Sequence, residues 1–187
     1  GVGAFKATTA ALEHRPQKTV FVTMGSSPLG SQGAIPDALL LALEILADEG
    51  IAVRIQTSSD HVHEWATAHP DLPIDIIPPS VRPPHGCYQD SDVVVTHGGW
   101  GTIRESVAHG VPVLVMPSIR GDRMDTAQRV IRSGVGVVQS PYAIDPQALT
   151  AEVRLLLTDN VVRDRVRNVA ATLTSNSRRA HFVDSIR

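Results

Sequence analysis

At 187 residues, with 42% apolar and 19% charged side chains, the sequence is long enough to bury a core of its own and is not a disordered or low-complexity chain. A net charge of −2 without a basic cluster excludes the electrostatic footprint of a nucleic-acid binder or of a protein drawn to anionic membranes. The single cysteine, Cys87, excludes an internal disulfide, no apolar run reaches the length of a membrane span and no signal peptide is visible, so a reducing, cytoplasmic setting is expected.

In chain order, residues 1–17 (GVGAFKATTAALEHRPQ) read as a connector that leads into a first strand at 19–24 (TVFVTM). Further strands are predicted at 51–57, 74–77, 92–96, 111–116 and 135–139. Most of these runs are apolar on both faces, as strands covered from both sides are. Helical patterns lie between them. The stretch PDALLLALEILADEG carries Leu39, Leu43 and Leu46 on one stripe, with Pro36 in the first turn and Gly50 as a stop. GTIRESVAHG ends at Gly110 and DRMDTAQRVIRSG at Gly134, both in the position of helix-terminating glycines. DPQALTAEVRLLLTD and NVVRDRVRNVAATLT close the chain as a helical pair. The Pro-rich 78–86 (PPSVRPPHG) is a stiff loop inside the domain.

Strand–helix alternation with six strands predicts an α/β fold, a doubly wound (Rossmann-like) six-stranded parallel sheet over 18–187. In the strand order 3-2-1-4-5-6, ligands bind outside the carboxyl ends of strands 1 and 4. Two small, polar loops fall there: GSSPLGSQG (25–33) after strand 1 and HGGWG (97–101) after strand 4. The glycines at 98, 99 and 101 allow close backbone approach, and the helix that follows offers free N–H groups and the positive end of its dipole. His97 and the Thr102 hydroxyl add side-chain donors. Phosphate or diphosphate fits this chemistry; the plainer reading is a tight strand–helix turn.

Several named motifs fail. GSSPLGSQ has P-loop glycine spacing but no lysine after the second glycine. HGGWG is not G-x-G-x-x-G and does not follow the first strand, which disfavours NAD. Leu29 stands where a nucleophile elbow around Ser27 needs glycine. The acidic Asp90 and Asp92 sit at the entrance of strand 4, away from the crevice, and read as a solvated strand start. His61, His63 and His69 lack ligand partners at metal spacing and read as surface histidines.

The block VVVTHGGWGTIRESVAHGVPVLVMP…GDRMDTAQRV…SGVG resembles the donor-binding half of GT-B nucleotide-sugar glycosyltransferases. It looks closest to the family of UDP-glucuronosyltransferases, plant secondary-product glycosyltransferases and bacterial antibiotic glycosyltransferases. The likeness is dense over 92–136 and compatible in element order from Lys18 onward. It implies an inverting, metal-independent hexosyltransferase that uses a UDP- or dTDP-sugar donor and no cofactor. The acceptor would be a small-molecule hydroxyl, held by an N-terminal domain to which 1–17 would connect. By position, His97 matches the histidine that supports the leaving diphosphate. Ser26, Ser27, Gly99, Trp100, Gly101 and Thr102 match diphosphate contacts. Glu105 matches the ribose carboxylate, Val81 and Arg82 lie in the base loop, and Asp122 and Arg123 match the pair that reads the sugar.

Departures from the family pattern are local. Arg123 replaces glutamine, Thr126-Ala127 replaces Asn-Ala, and the base loop lacks a stacking tryptophan. Arginine only donates, whereas glutamine donates and accepts, so a donor sugar bearing a carboxylate or other acceptor groups is one expectation and a solvent-facing Arg123 the other. Two alternatives to the transferase reading are a non-catalytic nucleotide-sugar-binding subunit completed by a separate acceptor-binding chain, and a sugar-nucleotide epimerase of the same fold. An NAD-linked dehydrogenase is the least favoured.

Overall fold

The computed structural model describes residues 17–24, 35–78, 86–117 and 123–184, and side chains as far as Leu173. Six strands, β1 (Thr19–Thr23), β2 (Ala52–Gln56), β3 (Ile74–Ile77), β4 (Val93–Thr96), β5 (Val113–Val115) and β6 (Gly136–Val138), form one sheet in the order β3-β2-β1-β4-β5-β6. Every pair is parallel. The expected doubly wound α/β fold is therefore the observed one.

The helices are α1 (Asp37–Asp48), α2 (Asp60–Ala68), α3 (Trp100–Ala108), α4 (Arg123–Ser133), α5 (Pro146–Thr158) and α6 (Asn160–Asp184). One face of the sheet carries α1, α2 and α5, with Leu39, Leu43, Val62, Val153 and Leu156 packed on Val20, Val22, Val53, Ile55 and Val95. The other face carries α3, α4 and α6, whose Ile103, Val107, Ala127, Val130 and Val166 cover Phe21, Val94, Val113 and Val115. Double coverage is why β1, β4 and β5 are buried at every position and apolar except for Thr19, Thr23 and Thr96 at the strand ends. Full burial of a side chain such as Phe21, Leu39 or Leu114 contributes about 1.5–3 kcal/mol each.

Toward the edges the pattern loosens. β2 alternates between buried and half-buried, and β3 ends the sheet with an exposed Asp75. At β6, a Cβ on Gly136 would fall 1.9 Å from the Val113 carbonyl oxygen, so only glycine lets this strand sit against β5. Asp145 caps α5, accepting from the N–H of Gln147 and of Ala148 with Pro146 in the first turn.

The HVHEW stretch forms α2, on which His61 and His63 are exposed, as expected of surface histidines, and His69, its C-cap, is half-buried. His61 Nε2 lies 2.7 Å from Asp37 Oδ1 and His69 Nε2 lies 3.5 Å from Glu44 Oε1, both on α1. Two readings of the sequence change. The last helix continues past Thr174 to Asp184. Asp92 is not solvated: its side chain is 1% exposed, and its carboxylate meets Lys18 Nζ at 2.9 Å and Arg163 Nη2 at 3.6 Å. It also accepts from the Thr19 N–H at 3.0 Å. This buried anion ties β1, β4 and α6 together at the amino edge, opposite the predicted crevice.

Candidate donor site at the carboxyl edge

Because all strands are parallel, β1 and β4 end on the same edge, and they are paired neighbours with Thr23 opposite Thr96. The strand order reverses here, with β2 and β3 on one side of the pair and β5 and β6 on the other, the place where such sheets bind ligands. From Thr96 the backbone turns through His97, Gly98 and Gly99 and enters α3 at Trp100. Gly98 has φ +96°, a left-handed conformation costly for any residue with a Cβ. The turn is also packed from behind, since a Cβ on Gly98 would lie 3.1 Å from Val115 Cγ1 and 3.7 Å from the Arg123 Cβ and carbonyl oxygen.

Gly99 is the N-cap of α3 and brings no side chain to the cap. The N–H groups of Trp100, Gly101 and Thr102 belong to the first helical turn, where no intrahelical acceptor exists. The imidazole of His97 lies over Gly99: a Cβ there would sit 3.0 Å from Nε2. Its Nδ1 is buried. Among the described residues, a Cβ on Gly101 would meet nothing within 4 Å. Backbone donors, a helix dipole and an imidazole thus gather at one place, a combination that suits an anion.

Thr102 and Glu105, three residues apart, share one face of α3. The Glu105 side chain is half-exposed and 3.8 Å from Arg104 Nη2. At the far end of α3, the buried Ser106 hydroxyl donates to the Val111 carbonyl at 2.9 Å and ties the helix to the approach of β5. The α3 N-terminus is in this way fixed from both ends.

The structure brings His97, Gly99, Trp100, Gly101, Thr102 and Glu105 together within one strand–helix junction and sets the Arg123 backbone against it. Arg123 is half-buried at the start of α4. Ser26, Ser27, Val81, Arg82 and Asp122 lie outside the described residues.

Tyr88, which the sequence did not single out, packs beside α3. Its ring meets Phe21 edge-on (5.6 Å, 86°) and lies nearly parallel to His109 (6.2 Å, 21°). Burial pushes its phenol above the ordinary tyrosine range, the neighbouring Thr102 hydroxyl, as a donor to the phenolate, offsets part of that, and the Glu105 charge adds to it. A signal was available, in that the chain has only two tyrosines and this one follows the Pro-rich loop. The neighbouring Cys87 is buried and its thiol is pushed up by desolvation, which marks a structural cysteine. Among the described residues no group of three His, Cys, Asp or Glu side chains is placed to hold a metal ion, and no helix is long and apolar enough to cross a membrane.

Residues 61–186, from α2 through α6, match the family described as erythromycin biosynthesis protein CIII-like, C-terminal domain. The chain belongs to this family, the C-terminal domain of antibiotic glycosyltransferases. Among relatives, it is 27% identical to demethyllactenocin mycarosyltransferase of Streptomyces fradiae over 168 residues, which covers 88% of this chain and 28% of that protein. The crystal structure of the glycotransferase of kitacinnamycin superposes with a TM-score of 0.71 at 25% identity, over 92% of this chain and 44% of that one. Spinosyn rhamnosyltransferase SpnG, solved with thymidine diphosphate, shares the fold at a TM-score of 0.67 and 23% identity, over 87% of this chain and 43% of that one. The chain thus spans less than half the length of these relatives. The family's GT-B fold supplies the parallel sheet, and the HGGWG turn stands at its carboxyl edge.

Proposed function

We propose that this domain binds the nucleotide-sugar donor of an inverting, metal-independent glycosyltransferase that moves a sugar from a UDP- or dTDP-sugar to a small-molecule hydroxyl. The observation that carries the reading is the α3 N-terminus without a side-chain cap, with His97 laid over Gly99 and no described atom within 4 Å of a Cβ on Gly101, at the edge where β1 and β4 adjoin. The thymidine diphosphate bound to the spinosyn relative supports the same ligand class. In this reading the N–H groups of Gly99, Trp100, Gly101 and Thr102 hold the diphosphate together with Ser26 and Ser27. Glu105 receives the ribose hydroxyls, Val81 and Arg82 hold the base, and Asp122 and Arg123 face the sugar.

The acceptor oxygen attacks the anomeric carbon as the bond from that carbon to the diphosphate oxygen breaks. The leaving electron pair stays on the diphosphate, where the helix dipole and His97 stabilise it; no metal ion or cofactor takes part. The acceptor's proton passes to a base outside residues 18–187, which form the donor unit, with 1–17 as its connector. Trp100, Met124 and Tyr142 expose apolar surface near this edge, as suits a face that meets an acceptor-binding domain. On its own the domain binds donor and transfers little sugar.

Competitive binding of UDP, dTDP, GDP and NAD to the 187-residue chain tests the reading. UDP or dTDP should bind in preference to NAD. Preferential binding of NAD, or no binding of any nucleoside diphosphate, would contradict it.

A further inference from the structure

Thr96 ends β4 with a hydroxyl that is fully buried and makes no hydrogen bond among the described residues. Val93 and Val95 face the α1, α2 and α5 layer, so Thr96, like Val94, faces α3, α4 and α6. Its in-register neighbours in that row are Thr23 and Val115. The Thr23 hydroxyl donates to Gln56 Oε1 at 2.9 Å, and Val115 is the wall on which Gly98 packs. The β4–α3 turn thus folds back over the row in which the Thr96 hydroxyl stands. Buried hydroxyls without an acceptor are rare in native proteins, because each is a standing cost to stability.

In a trans peptide the N–H and the C=O point in opposite directions. A Gly99 N–H aimed outward at a diphosphate therefore aims the Gly98 carbonyl inward, where it needs a donor of its own. Helix α3 supplies none, since its first bond runs from the Ile103 N–H to the Gly99 carbonyl at 3.2 Å. We propose that Thr96 is a positioning residue of the donor site: as diphosphate binds, its hydroxyl donates to the Gly98 carbonyl and so holds the Gly99 N–H on the ligand. The inference rests on the donor-site reading above. Glycine on both sides of this peptide lets it turn at little cost, a freedom that a residue with a Cβ lacks. A hydroxyl paired only in the bound turn adds to affinity and subtracts from the stability of the nucleotide-free chain.

The test compares the 187-residue chain with its Thr96→Val and Thr96→Ser forms, measuring thermal unfolding and affinity for UDP, dTDP, uridine and thymidine. Valine keeps the branched shape and removes the hydroxyl, whereas serine keeps the hydroxyl. In Thr96→Val the midpoint of the nucleotide-free chain should rise by about 2–4 °C. Its affinity for UDP and dTDP should fall about threefold to tenfold, with nucleoside affinity held within about twofold. Thr96→Ser should bind both diphosphates within about twofold of wild type. A merely structural threonine would not give these opposite signs. Unchanged diphosphate affinity in Thr96→Val, an equal loss for nucleosides, a lowered midpoint, or a serine variant no better than valine would overturn the assignment. A wild-type chain that binds no nucleoside diphosphate removes the donor-site reading and this inference with it. Diphosphate binding that falls in His97→Ala but not in Thr96→Val removes this inference alone.

Discussion

Gly98 backs onto Val115 so closely that a Cβ on the glycine would lie 3.1 Å from Val115 Cγ1, in a backbone already at φ +96°. Gly98→Ala therefore meets two penalties, the left-handed backbone and a crowded wall. The expected loss of stability is about 2 kcal/mol. Denaturant unfolding checks it, and a loss below about 0.5 kcal/mol would mean the turn relaxes freely.

Gly101 gives the opposite sign. Among the described residues nothing fills its Cβ position, and alanine restricts the unfolded chain, so Gly101→Ala should raise stability by about 0.5–1 kcal/mol. The added methyl takes space beside the proposed diphosphate, so affinity for UDP and dTDP should fall while stability rises. A variant that gains stability and binds diphosphate as before would place the ligand elsewhere.

Asp92 acts at the other edge. Its carboxylate is buried between Lys18, Arg163 and the Thr19 N–H, and Asp92→Ala leaves the Arg163 guanidinium, 13% exposed, without that anion. The expected destabilisation is about 3 kcal/mol, with nucleotide affinity of the remaining folded protein unchanged. Unfolding and binding measured on the same preparation separate the two effects. A loss of affinity without a loss of stability would show that the amino edge couples to the site.

Tyr88 adds a pH dependence. Burial raises its phenol above the ordinary value of about 10, so the folded state favours the neutral form. Its contribution to stability is complete below the unfolded value and is lost as pH rises through the higher folded one. From pH 8 to 11, urea unfolding should show wild type losing stability faster than Tyr88→Phe above about pH 10. Parallel profiles would contradict the buried, protonated phenol.

What could be read from the sequence follows from how local each signal is. The central strands were legible because double coverage buries every residue of β1, β4 and β5 and leaves them apolar but for a threonine at some ends. The glycines after α1, α3 and α4 marked their ends. The α2 helix was not legible, because only Val62 of its nine residues is buried and its histidines gave no apolar stripe. Asp92 was misread as solvated because Lys18, 74 residues away, and Arg163 on the last helix reach it only once the sheet has formed. The HGGWG turn is contiguous and could be recognised. The setting of Tyr88 was invisible for the reverse reason, since Phe21 and His109 gather around it only through the topology.

The central claim is that the β4–α3 junction holds a diphosphate, and the most direct measurement is binding to His97→Ala. Hydrogen bonds to charged groups contribute about 1.5–3 kcal/mol. Affinity for UDP and dTDP should therefore fall about tenfold or more, while uridine and thymidine bind as they do to wild type. Equal losses for nucleoside and diphosphate, or none for either, would contradict the account.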